Sequence, residues 1–315
     1  MSNPKGAAVT TRPSVFMLTA LALSVLATSL PVQAQSPAPA CPPAGYDRAR
    51  LLQMKAEGFT VADDARRNTL ALGLLDCLAD PDPELRDGVA YEALTRFLRG
   101  KALTVETRAE VRDRLVADLQ APEGPGFRRP FAALVLAEVA RTDRTEPWLT
   151  ATERGRLVAA ATSYVRGVAD YRGFDEREGW RHGVAHGADL LAELAANPHV
   201  GREDLGRILE AVASQIAPNG HPYVYGEPER LARPVLLMAR RGIFTEAEWT
   251  AWLARACGPA PLASWGEAYR SQAGLAKRHN TMAFLSSLYL NARIAGTPDL
   301  APLLPGVEAG LRALP

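Results

Sequence analysis

From Tyr46 to the C-terminus, apolar positions recur at three- and four-residue intervals in block after block, separated by short breakers rich in Pro, Gly and Asp. That period is the helical one, and no convincing run of strand-like alternation interrupts it. Helices are expected over 46–57, 64–78 and 82–98, the last with Asp82 as N-cap, Pro83 in its first turn and Gly100 as its stop. Two more, 104–120 and 128–141, flank a loop at 121–126, and Thr150 with Glu153 forms a capping box for a helix reaching Asp170. Then come 179–196 and 203–216, an aromatic loop at 217–228, and helices over 229–240, 246–256, 265–277, 281–295 and 298–314. Helix pairs thus begin every 35 to 50 residues or so, roughly the period of a solenoid repeat. The expected fold is all-α, a solenoid of stacked antiparallel helix pairs of the HEAT or armadillo type. A closed α/α barrel is the alternative, because the same hairpins can curl shut.

The first forty residues break this pattern. Lys5 and Arg12 precede an apolar stretch at 15–30, and Val32-Gln33-Ala34 offers a small-x-small cleavage triplet. Residues 1–34 therefore read as a signal peptide, 35–45 as a Pro-rich linker and 46–315 as a single helical-repeat domain. About sixteen apolar residues are few for a spanning helix, so no stable membrane span is expected after cleavage. The destination is the periplasm or the medium.

Charge narrows the partners. The chain has 36 basic and 35 acidic residues, and removing Lys5 and Arg12 with the leader leaves 34 against 35. A near-neutral protein of this kind is not built for nucleic acid. Three cysteines are too few for a disulfide scaffold. If the first two helices form a hairpin, Cys41 and Cys77 come close and an exported chain can bridge them, while Cys257 has no such neighbour. The other reading leaves all three as reduced, small hydrophobes.

Candidate chemistry concentrates on 171–197. On one helix, His182, His186, Asp189 and Glu193 recur at i, i+4, i+7 and i+11 and share a face. Trp180 lies on the adjoining apolar face with Val184, Leu190, Leu191 and Leu194. Gly183 and Gly187, costly inside a helix, imply a neighbour that approaches the backbone closely. Three readings stay open for the quartet. His182 and His186 chelate a metal such as zinc, with Asp189 or a distant residue completing the site; Gly183, however, stands where the HExxH pattern has its glutamate. Alternatively, His182, His186 and Asp189 do acid–base work, with Asp189 or Glu193 orienting a histidine. Or the histidines join helices through hydrogen bonds alone. The charged loop before the helix adds Asp175, Glu176 and Glu178 near its N-terminus. Further on, His221, Tyr223, Tyr225 and Glu227 have the composition of a sugar- or aromatic-ligand surface. No GxSxG elbow, phosphate-binding GxxxxGK[ST] or GxGxxG follows a strand anywhere, and no cofactor motif is identified.

Four blocks carry a family resemblance: LRDGVAY at 85–91, GWRHGVAHGADLL at 179–191, GEPERLA at 226–232 and HNTMAFLSSLY at 279–289. Together they resemble the bacterial family called domain of unknown function 2785, with Arg181 and Gly183 standing where alanines are expected. The resemblance implies no activity. It adds Leu85, Arg86, Asp87, Glu227, Arg230 and Asn280 to the motif positions, with Arg86–Asp87 and Glu227–Arg230 as candidate ion pairs. The expected function is ligand or protein binding in a groove lined by Trp180, His182, His186, Asp189, Glu193, Tyr225, Glu227, Arg230 and Asn280. The alternative is a hydrolase or lyase using His182, His186 and Asp189, with or without metal.

Overall fold

Capping residues and apolar stripes turn most of the chain into helix, as its periodicity demands. The computed structural model describes residues 41–218 and 220–315, so the expected leader and most of the Pro-rich linker lie outside the described residues. Helix α1 (Arg48–Ala56) is capped by Asp47 and α2 (Asp64–Leu74) by Asp63, each carboxylate accepting from the amide three residues on. A 3-10 turn at Asp76–Ala79 follows, and Cys77 within it is joined to Cys41 by a disulfide with Cα atoms 5.0 Å apart. Cys257 is free and buried. Next, α3 (Pro83–Leu85) opens at Asp82 and widens into a π-helical turn over Arg86–Tyr91 before α4 (Glu92–Arg99). The helix expected over 82–98 therefore exists but contains a wide turn, a geometry frequent at functional sites.

Helices α5 (Val105–Asp118), α6 (Arg128–Thr145) and α7 (Ala151–Arg166) come next, and the Thr150–Glu153 capping box of α7 is complete. One expectation fails here. The segment before the next helix is not a plain loop but a hairpin of β1 (Phe174–Asp175) and β2 (Gly179–Trp180), Phe174 facing Trp180 and Asp175 facing Gly179. Strands of two residues are too short for any alternation to be read.

After it stand α8 (Gly183–Ala196), α9 (Arg202–Ile216), α10 (Glu227–Ala239) and α11 (Glu246–Ala256). The helices expected over 265–277 and 281–295 are divided differently: a 3-10 turn covers Trp265–Arg270, and a single α12 (Gln272–Ala295) runs through 278–280. Ser271 caps it by accepting from Gly274 N, and no Pro or Gly interrupts it between 275 and 295. The last helix is α13 (Leu304–Ala313).

Packing places α4, α6, α8, α10 and α12 side by side in one row, while α7, α9, α11 and α13 form a second row against it. Helix α8 sits mid-row, between α6 and α10 and backed by α7. Leu190, Leu191 and Leu194 are at most 1% exposed, and burying each contributes about 1.5–3 kcal/mol. The close approach implied by Gly187 is real: a Cβ there would lie 2.7 Å from Val165 Cγ2 and 3.2 Å from the Tyr164 ring. Ala in its place would push α7 away.

Candidate functional site

The hairpin decides where the histidines go. Asp175 Oδ1 accepts from the amides of Arg177 (2.8 Å) and Glu178 (3.0 Å), which tightens the turn. Beyond β2 the ladder continues, with Arg181 N donating to Gly173 O (2.9 Å) and His182 N to Arg172 O (3.1 Å). His182 thus ends the hairpin in a left-handed conformation, φ 53°, and α8 begins after it. This corrects the expected quartet: His186, Asp189 and Glu193 share α8, but His182 does not, because the chain turns at that residue instead of continuing a helix. A left-handed non-glycine residue costs on the order of 1 kcal/mol, which the flanking ladder and helix must hold in place.

The side chains nevertheless converge. The His182 and His186 rings lie 5.8 Å apart, Trp180 stacks on His182 at 4.8 Å, and Tyr225 stands edge-on to both Trp180 (5.8 Å) and His182 (6.4 Å). His182 Nε2 is 3.7 Å from Glu227 Oε1. Glu227 begins α10 and is buried, and its Oε2 accepts from Tyr225 N at 2.9 Å. Asp189, one turn below His186, is paired with Arg230 and lies 3.5 Å from Arg233. The expected Glu227–Arg230 pair is therefore replaced by Asp189–Arg230, while Arg86–Asp87 pairs as expected, at 2.7 Å. Two other expected lining residues sit elsewhere. Glu193 reaches Arg144 on α6 at 2.8 Å. Asn280 is fully buried behind the loop, accepting from Tyr223 N and donating to His221 O, both at 2.8 Å.

Three buried atoms here have no hydrogen-bond partner: His182 Nε2, His186 Nδ1 and Asp189 Oδ1. Leaving such groups unpaired costs roughly 1–3 kcal/mol each. Burial holds the titration of His186 down to about 3 and that of His182 down to about 4, with the Arg230 charge adding to both. Both imidazoles are neutral near pH 7. Burial also raises the Asp189 and Glu227 carboxyls, against the pull of Arg230 on the first and of backbone amides on the second.

The sequence marks Arg86 as a motif position, but not its role in the floor of this site. His186 stands edge-on to Phe131 at 5.2 Å, and the fully buried Arg86 guanidinium lies 4.1 Å from the Phe127 ring centre and 4.9 Å from that of Phe131. Arg86 also donates to Glu178 O (2.6 Å) in the hairpin turn and to Asp80 O (3.0 Å). Arg181 covers the Phe127 ring as well, at 4.3 Å. Pairs so distant along the chain leave no local pattern to read.

On the far side of Tyr225 the hairpin and the 221–225 loop enclose a cleft of about 670 Å³, lined by Tyr171, Arg181, His221 and Val224 and by the exposed rings of Phe174 and Tyr225. As for a metal, among the described residues no three His, Cys, Asp or Glu side chains are placed to hold one. Asp189, the expected third ligand, is turned to its arginines.

A family model described as "Protein of unknown function (DUF2785)" matches residues 115–290. Three of the four sequence blocks fall inside that span, and the block at 85–91 precedes it. No curated protein and no solved structure matches the chain.

Proposed function

The chain belongs to that family of unknown function, and from this premise we propose that it is an exported helical-repeat protein that binds a ligand where α8 begins, between the hairpin and α10. One observation carries the reading. His182 Nε2 and His186 Nδ1, on rings 5.8 Å apart, and Asp189 Oδ1 further along α8 are buried without a hydrogen bond, and the rings of Trp180 and Tyr225 beside His182 remain 37% and 40% exposed. A fold gains nothing from such an arrangement by itself, whereas a ligand that supplies the missing hydrogen bonds gains from each. The two rows of helices support an open solenoid, in which one row presents a continuous surface. Export is supported by the leader pattern and by the Cys41–Cys77 disulfide, a bond that persists in oxidising compartments.

The enzyme reading rests on a narrower observation, the approach of Glu227 to His182 at 3.7 Å, a carboxyl raised by burial beside a neutral imidazole. Such a pair can pass a proton.

A thermal-shift screen of a metabolite library tests the binding reading, since a ligand of the native state raises the melting temperature. We expect a compound that stabilises the wild type but neither His186→Leu nor Trp180→Ala. If every stabilising compound acts equally on the variants, the site is misassigned. Turnover of the bound compound, lost in Glu227→Gln, would favour the enzyme.

A further inference from the structure

The ligand's chemistry can be narrowed from the groups that would meet it. Most formal charges around the histidines are already compensated, Asp189 by Arg230 and Arg233, Arg181 by Glu178 at 2.7 Å and Arg172 by Asp170, while burial favours the neutral form of the Glu227 carboxyl. An ionic ligand would have to compete with these pairs, and a neutral one would not. The unpaired atoms belong to one carboxylate and to two neutral imidazoles whose N–H groups are directed at the backbone of Tyr225 and Pro130, so the site offers acceptors. Neutral hydroxyl groups can donate to each of them without bringing a charge.

The aromatic rim adds a second constraint. Phe174, Trp180 and Tyr225 are 48%, 37% and 40% exposed, and Val224 beside them is 69% exposed, an apolar concentration on one hairpin and one loop. The rings do not form a parallel slot for a flat aromatic guest: Trp180 meets Tyr225 at 86° and Phe174 at 56°. They form instead a stepped trough whose Phe174 and Tyr225 also line the 670 Å³ cleft, with the His182 ring packed behind Trp180 and Tyr225. His221, stacked on Tyr171 at 4.9 Å, lines that cleft, and its Nε2 is again buried without a partner. Gly173 makes the trough possible, because a Cβ there would fall 2.0 Å from the Tyr225 ring.

We propose that this trough binds a neutral oligosaccharide, with sugar C–H faces against Phe174, Trp180 and Tyr225, hydroxyls on the unpaired atoms of His182, His186 and Asp189, and a further sugar unit in the cleft beside His221. Pyranose units combine an apolar face with a rim of hydroxyls, and their length in sequence matches a site longer than one pocket. The proposal rests on the ligand-binding reading of the same residues.

The test is calorimetric titration of the purified protein with cellohexaose, xylohexaose, chitohexaose and maltohexaose. At least one binds, its disaccharide binds more weakly, and Tyr225→Ala and Gly173→Ala each weaken the hexasaccharide about tenfold, or 1.4 kcal/mol. Ile294→Ala, which alters a 76% exposed apolar residue on α12 away from the trough, leaves affinity unchanged. Circular dichroism of each variant separates lost folding from lost binding, and Tyr225→Trp, which keeps an aromatic face, retains affinity. The proposal is overturned if no hexasaccharide binds at about 10 mM, far above any specific affinity, or if binding ignores Tyr225 and Gly173. Should another compound stabilise the wild type and not His186→Leu while all four sugars fail, the ligand site stands and only the sugar class falls.

Discussion

The two ends of α8 are opposites. At its C-terminal end Asp143, 1% exposed, accepts from Trp148 N, Leu149 N and both Nε and Nη2 of Arg154, and also from Asn197 Nδ2, the residue that caps α8. Burial pushes this carboxyl up, yet the donors outweigh it and hold it below the usual range. At the N-terminal end His182, His186 and Asp189 are buried nearly as deeply, and each keeps an atom with no hydrogen-bond partner. Depth of burial is therefore not what distinguishes the two clusters. Closure is: one network has filled its own hydrogen-bonding capacity, and the other has capacity left for a visitor.

Replacing members of each end would break this contrast or sharpen it. Asp143→Ala strands Arg154 and three other donors, and should cost roughly 3–5 kcal/mol in chemical denaturation without altering ligand affinity per folded molecule. Acid should act at the other end. The folded-state titrations of His182 and His186 lie below the unfolded value of about 6.5. Their contribution is therefore intact above that value and declines as pH falls towards about 4 and about 3. From about pH 7 to about pH 4.5 the loss due to His186 is on the order of 2–3 kcal/mol. The raised carboxyls of Asp189 and Glu227 work in the opposite sense and soften it. Denaturation across that range should give a visibly flatter slope in His186→Leu; equal slopes would mean that this imidazole is not buried neutral.

At neutral pH the same His186→Leu substitution is expected to change stability by no more than about 1 kcal/mol, in either direction, because it removes an unpaired polar atom and retains an apolar body. A collapse comparable to that of Asp143→Ala would place His186 among the structural residues. Smallest of all should be Glu193→Gln: its partner Arg144 is partly exposed, and such pairs contribute about 0.2–1 kcal/mol. A larger loss would return Glu193 to the site.

Much of this molecule could be read from its sequence because helices announce themselves locally. Asp82 and the Thr150–Glu153 box mark helix starts where the chain places them, and Gly187 correctly signals the approach of Tyr164 and Val165. What escaped reading depends on distant partners or on a single backbone angle. Nothing in GWRHG reveals that His182 adopts φ 53°, so a helical wheel puts it on the helix, although its ring does meet that of His186. Asn280 looks like a ligand contact until the loop it clamps is seen at Tyr223 and His221. Asp143 lies beyond the expected end of its helix at 141, and its donors come from residues 148, 149, 154 and 197.

Arg86 bears on where this protein can be cut. The family match starts at residue 115, yet Arg86 holds Glu178 O in the hairpin turn and covers Phe127 and Phe131 beneath His186. A fragment trimmed to 115–290 would bare those two rings and release the turn that aims Trp180 and His182. The edge of detectable kinship thus passes through the middle of a cooperative body, and expression trials that follow it would yield a site without its floor.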